Sequence, residues 1–122
     1  MQLVPRRRFE ELVADALDSI PEALADQMEN VAVLVEDWPT AEQIAGRGGT
    51  LLGLYEGIML TDRSPLAYAG VLPDRITVFR GPLCELSRDE DDLATHIRVT
   101  VVHEVAHHFG IDDDRLRELG WA

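Results

Sequence analysis

The segment from residue 89 to residue 109 constrains the fold more than any other part of this chain, because strongly polar side chains interrupt an apolar helix. Its apolar residues point in nearly every direction around a helical axis, which predicts a helix packed on most sides. Gly110 then provides a residue that can adopt the left-handed conformation in which helices end. The polar side chains inside the segment are His103, Glu104, His107 and His108. Their burial is unfavourable unless a partner satisfies them, and we predict that this partner is a metal ion.

His103 and His107 stand four residues apart, so on a helix their side chains share one face, with Cβ atoms about 5–6 Å apart. Two imidazoles at that spacing can reach one tetrahedral ion without bending the backbone. Glu104 lies about 100° around the axis from His103, where its carboxylate could take a proton from a water beside the metal. We therefore predict two metal ligands, His103 and His107, and one general base, Glu104. A purely structural role for the three residues is the weaker alternative.

A catalytic zinc site normally uses three protein ligands, so a third ligand must come from another part of the chain. Counting from His103 gives the pattern H-E-x-x-H-x-x-G-x-x-D, which ends at Asp113 just after the glycine. We predict Asp113 as the third ligand. The alternatives that stay open are Asp112, which is also a good N-cap for a final helical turn, Asp114 and Glu118.

Three other reactive residues are predicted to lie outside the site. His96 lies seven residues before His103, about 10 Å along the axis, so we expect a core histidine or one that supports the ligands. His108 points more than about 100° away from the metal face, which favours a packing or surface position. Cys84 is predicted to be a small buried hydrophobe.

The remaining helices and strands are short. Apolar spacing from Phe9 to Ile20 predicts an amphipathic helix of about three turns. A second short helix should reach about Met28, and one helical turn should precede a glycine-rich loop at 46–49. Capping boxes are predicted for Ser19 with Glu22 and for Ser87 with Glu90. The predicted strands cover 31–38, 51–60 and 75–80. Gly53 and Gly57 suggest a bulge or a closely approaching backbone in the second strand.

Length and composition favour a single domain over residues 1–122 that needs no disulfide, since the chain has one cysteine. Lys and Arg number 11 against 23 Asp and Glu, and the net charge of −12 should repel nucleic acid. No apolar run follows the basic N-terminal cluster as in a signal peptide, and none approaches the ~18 residues of a membrane helix. We expect a cytoplasmic protein with no membrane partner.

The chain resembles the minimal zincin-like metallopeptidase family of small bacterial proteins. The motif is similar to the extended metzincin motif with Asp in place of the last His, although the nine residues after Asp113 contain no methionine for a metzincin Met-turn. The segments that carry the resemblance are LVEDWPT, LLGLYEGIMLTDRS, LPDRITVFRGPL and VVHEVAHHFGIDDDRL. It implies an α+β fold, with an about three-stranded mixed sheet, N-terminal helices and a buried metal-binding helix.

The resemblance also implies an enzyme, a zinc peptidase that hydrolyses peptide bonds in a peptide or protein substrate. One Zn²⁺ would be held by His103, His107 and Asp113, with Glu104 as general base. Substrate would lie along an edge strand, with the third strand inside it, and Gly53 would let a peptide approach closely. The substrate-binding residues implied are Leu52, Gly53, Leu54 and Tyr55. Tyr55 could also stabilise an oxyanion, but packing in the core or at the rim is favoured.

Two functions from other classes stay open. A non-catalytic module could use the metal only to support a protein-binding surface, but it would not need a carboxylate beside an open coordination position. A metal-dependent ribonuclease is disfavoured by Glu104 and by the acidic net charge.

Overall fold

The computed structural model describes residues 1–25, 31–45, 51–56, 74–111 and 113–119, which form an α+β arrangement. The elements are α1 (Arg6–Asp18), α2 (Glu22–Ala25), β1 (Val31–Glu36), α3 (Ala41–Ile44), β2 (Gly53–Glu56), β3 (Asp74–Phe79), α4 (Arg80–Leu86), α5 (Glu90–His108) and α6 (Asp113–Leu119). The predicted fold class is confirmed. The predicted glycine-rich loop at 46–49 and the predicted ends of α2 and β2, at Met28 and at 57–60, lie outside the described residues.

The sheet has three strands in the order β1-β3-β2, so the predicted three-stranded mixed sheet is confirmed, with the third strand in its middle. β1 runs parallel to β3, and β2 runs antiparallel to it. In the β2–β3 register Gly53 lies opposite Val78 and Tyr55 opposite Ile76. Because side chains alternate along a strand, these four positions share one face of the sheet.

The hydrophobic core lies on that face, between the sheet and helices α1 and α5. Its members from α1 are Phe9, Leu12, Val13 and Ala16, those from β3 are Ile76 and Val78, and those from α5 are Leu93, Ile97, Val101 and Val105. Cys84 on α4 is fully buried in the same cluster, as predicted. The sheet and α1 therefore support α5 from one side.

The burial of α5 differs between its two halves. Its core residues recur every four positions from Leu93 to Val105, whereas Val99 on another flank is 50% exposed. Every side chain from 101 to 107 is buried or half-buried, so the predicted packing on most sides is confirmed for the part of the helix that carries the polar residues and fails only in the half before it. Within the described ranges, no helix is both long and apolar enough to cross a bilayer.

The N-terminus of α5 is capped by acidic residues one turn apart. The Asp89 carboxylate accepts a hydrogen bond from the backbone N–H of Asp92 at 2.8 Å, and the Asp92 carboxylate accepts one from Arg88 N–H at 2.9 Å. These bonds satisfy donors that a helix start leaves unpaired. The hydrogen bond from Arg88 N–H is the main reason why the pKa of Asp92 lies below its usual value, with the charges of His96 and Arg88 adding to it.

The predicted capping box of Ser87 and Glu90 is wrong, because Ser87 belongs to the end of α4, a helix that the sequence patterns did not predict. Ser87 is 2% exposed, and its hydroxyl donates to Leu83 O at 2.7 Å. Ser19 similarly closes α1, donating its hydroxyl to Ala16 O at 2.7 Å rather than capping α2.

We expect Asp92→Asn to destabilise the protein at neutral pH but not in acid. A carboxyl whose pKa is lowered by folding contributes stability above its unfolded pKa, and that contribution disappears as the pH falls through the folded pKa. Urea unfolding midpoints of the wild type and Asp92→Asn should differ at neutral pH and converge once the pH has fallen below the folded pKa of Asp92. Asp91→Asn, on the same exposed turn, is the matched control and should shift the midpoint less. An equal difference at both pH values would contradict the prediction.

Candidate metal centre

One turn of α5 brings two imidazoles and a carboxylate together. One possible ligand atom from each of His103, Glu104 and His107 lies within 4.8 Å of the other two. The two imidazole centroids are 4.7 Å apart, and their planes meet at 67°. This proximity follows from the helical repeat alone, because residues four apart are neighbours on one face.

The cluster combines an exposed edge with a buried carboxylate. The His107 side chain is 43% exposed and His103 is half-buried, whereas the Glu104 side chain is 9% exposed. Solvent and a ligand can therefore reach the imidazoles, while Glu104 lies at the base of the cluster.

The buried carboxylate of Glu104 has hydrogen-bond partners within the protein. Its Oε1 accepts a hydrogen bond from the backbone N–H of Tyr55 on β2 at 2.9 Å. His107 Nδ1 lies 3.2 Å from the same oxygen. These contacts offset the cost of burying a carboxylate, and no sequence pattern pointed to the Tyr55 N–H as a partner.

The donor set fits a metal ion. Imidazole nitrogens and carboxylate oxygens are common zinc ligands, and two histidines on one helical face provide two of the three protein ligands of a catalytic site. The half-exposed rings leave room for further ligands on the solvent side. The cluster can therefore hold one divalent ion.

The chain turns back directly after the cluster, at Gly110. This glycine has φ 71°, its N–H donates to His107 O at 3.0 Å, and Ile111 N–H donates to Ala106 O at 2.9 Å. The two bonds form a Schellman motif, which confirms the predicted glycine stop. α6 then begins at Asp113.

The third ligand stays a prediction. Asp112 and the side chain of Asp113 lie outside the described residues. Of the alternatives, Asp114 pairs with Arg117, and Glu118 pairs with Arg115 at 2.9 Å, both on the exposed surface of α6. Because their carboxylates already have arginine partners, they are weaker candidates.

Of the two other histidines, the structure describes only the side chain of His96, and it lies outside the cluster. His96 Nδ1 lies 3.0 Å from the Ser87 hydroxyl, at the α4–α5 junction. The side chain of His108 lies outside the described residues, so its predicted position stays open.

The predicted substrate residues lie on and next to β2, beside the cluster. Leu54 is buried on the face of the sheet that points away from Glu104, and Leu52 is partly buried. The half-buried Tyr55 donates its hydroxyl to Oδ2 of Asp74, which is 2% exposed, at 2.9 Å. Asp74 was not predicted, because nothing in its sequence context distinguishes it from a loop residue.

Gly53 lies against α5. A Cβ at this position would be 2.6 Å from Thr100 Cγ2 and 3.3 Å from Glu104 Cγ. The register of β2 includes Gly53 without a bulge, and the groups of α5 that approach this glycine closely are side chains rather than backbone.

A solved structure shares the fold of this chain. A conserved hypothetical protein from Thermo thermophilus has a similar structure, with a TM-score of 0.58 and 24% sequence identity over 95% of this chain and 97% of the other. At that identity the likeness shows the fold alone. No curated protein matches the chain significantly.

A family model adds what the structural likeness does not. It describes a zincin-like metallopeptidase and matches residues 28–121, a span that contains the sheet, α5 and the whole His103, Glu104 and His107 cluster. The chain therefore belongs to the zincin-like metallopeptidase family.

Proposed function

We propose that this protein is a zinc-dependent peptidase in which His103, His107 and Asp113 hold one Zn²⁺ and Glu104 is the general base. The observation that carries the proposal is the cluster itself, two half-exposed imidazoles with a buried carboxylate beside them. When bound, zinc would act as a Lewis acid toward the scissile carbonyl and would make water more acidic.

Glu104 would take a proton from the attacking water and later deliver it to the leaving amine. Two features of the chain suit it to this work. It stands on the same turn as both histidines, and Tyr55 N–H holds one of its oxygens at 2.9 Å. A base fixed in this way needs little reorganisation when the substrate arrives.

The substrate would be an extended peptide that adds to β2 along Leu52, Gly53, Leu54 and Tyr55. Among the described residues β2 pairs only with β3, so β2 is an edge strand and no described strand pairs with its other side. Strand addition would provide affinity through main-chain hydrogen bonds, which is why we propose a peptide or protein substrate.

Metal analysis of the purified protein tests this proposal. The wild type should contain about one zinc per chain, and His107→Ala should contain little, because two remaining ligands rarely retain zinc. His96→Ala is the matched control, since it removes a histidine of the same helix outside the cluster, and it should keep the metal.

Activity is the second measurement. A chelator should stop cleavage of a peptide library by the wild type, and added zinc should restore it. A wild type without metal, or a His107→Ala variant that holds as much metal as the wild type, would refute the site. A protein that holds zinc but cleaves no peptide would support the non-catalytic module instead.

A further inference from the structure

We propose that strand β2 is a positioning element for Glu104, through the backbone N–H of Tyr55 and the missing side chain of Gly53. This inference rests on the proposed function, because it assigns a role within the same site. As a substrate edge, β2 would bind a peptide. In the role inferred here, β2 holds the Glu104 side chain of the protein itself.

The direction of the Tyr55 N–H follows from the strand register. Phe79 N–H donates to Leu52 O at 3.0 Å, so Leu52 and Phe79 form a hydrogen-bonded pair of the antiparallel ladder. Such pairs alternate with non-hydrogen-bonded pairs. Leu54 with Thr77 is therefore a hydrogen-bonded pair, whereas Tyr55 directs its N–H away from β3. That outward N–H is the group that donates to Glu104 Oε1 at 2.9 Å.

Gly53 brings the helix close enough for this bond. Its position on β2 faces α5, and the space that a Cβ would occupy is taken by Thr100 Cγ2 and Glu104 Cγ, at 2.6 and 3.3 Å. Thr100 is β-branched and 7% exposed, so its methyl group has little freedom to move away. Any side chain at Gly53 would push α5 from β2 and lengthen the bond from Tyr55 to Glu104.

The contacts give the two carboxylate oxygens of Glu104 different roles. Oε1 receives the Tyr55 N–H and lies 3.2 Å from His107 Nδ1, so it is the anchored oxygen. Oε2 is then the oxygen that exchanges protons with water and the leaving amine. A peptide at the edge of β2 would not obtain the Tyr55 N–H, because Glu104 already accepts it, and would pair with the outward groups of Gly53 instead.

Amide hydrogen exchange of the full chain tests the positioning contact. Tyr55 N–H should exchange at least about tenfold faster in Glu104→Ala than in the wild type, because the charged acceptor is lost. Glu104→Gln should keep most of the protection, since its side-chain oxygen can still accept. Leu54 N–H is the internal control, because β3 protects it in all three proteins. Equal exchange of Tyr55 N–H in the wild type and Glu104→Ala would overturn the inference.

Variants of Gly53 test the same contact from the strand. Gly53→Ala should speed exchange of Tyr55 N–H and lower kcat with metal content unchanged, and Gly53→Ala combined with Thr100→Ser, which removes the obstructing methyl, should recover both. A Gly53→Ala variant with wild-type exchange and kcat would refute the positioning role. If the wild type cleaves no peptide, the proposed function fails, while the exchange rates still decide whether β2 holds Glu104.

Discussion

Glu104→Gln should lower kcat by about 10²- to 10⁴-fold while leaving the metal in place, because an amide cannot accept the proton of the attacking water. The substitution changes little else. Glutamine has nearly the same size, and its side-chain oxygen can still accept the Tyr55 N–H that now bonds Oε1. Steady-state kinetics on a cleaved peptide, with zinc content measured on the same preparations, would separate the two effects.

Other outcomes would assign Glu104 a different role. Turnover within a few fold of the wild type would show that another group is the base. Loss of metal together with activity would mean that Glu104 helps to hold the ion, which its place among the three clustered donors also allows. Glu10→Gln is the matched control, since Glu10 pairs with Arg6 on the exposed surface of α1, and the substitution should leave kcat unchanged.

Asp113→Ala should weaken zinc binding strongly, because it removes the proposed third ligand. Loss of a residue that only orients the metal ligands weakens binding roughly 10- to 100-fold, and the loss here should be larger. The reason is the path of the backbone. The Schellman motif at Gly110 turns the chain back immediately after His107, and α6 begins three residues later at Asp113. A carboxylate from this turn would complete a three-ligand set with His103 and His107.

Competition with a chromogenic chelator would measure that affinity. Asp114→Ala changes the next acidic residue, which pairs with Arg117, and should bind zinc like the wild type. Asp113→His should also retain the metal, because imidazole is a common zinc ligand. Wild-type affinity in Asp113→Ala together with a loss in Glu118→Ala would move the third ligand to Glu118.

Features set by short-range geometry were predictable from the sequence. α5 was expected over 89–109 and runs from Glu90 to His108. The clustering of His103, Glu104 and His107 needs only the helical repeat. The stop at Gly110 needs only a residue that tolerates positive φ.

Features at element boundaries were less predictable, because they depend on where neighbouring elements end. α4 was missed because Gly81 and Pro82 suggest a turn, although proline is tolerated in a first helical turn. Once α4 exists, Ser87 belongs to its buried end and Asp89 becomes the N-cap of α5. The same residue types would fit either boundary by local pattern alone.

By itself, the sequence determined that two imidazoles and a carboxylate share one turn of a helix that ends at a glycine, because covalent spacing and helical pitch leave no other arrangement. Only the tertiary structure decided what holds the carboxylate. The Tyr55 N–H and the space at Gly53 come from a strand about fifty residues earlier, and their direction depends on the register between β2 and β3. Long-range pairing of this kind is set by packing of the whole core rather than by any local pattern.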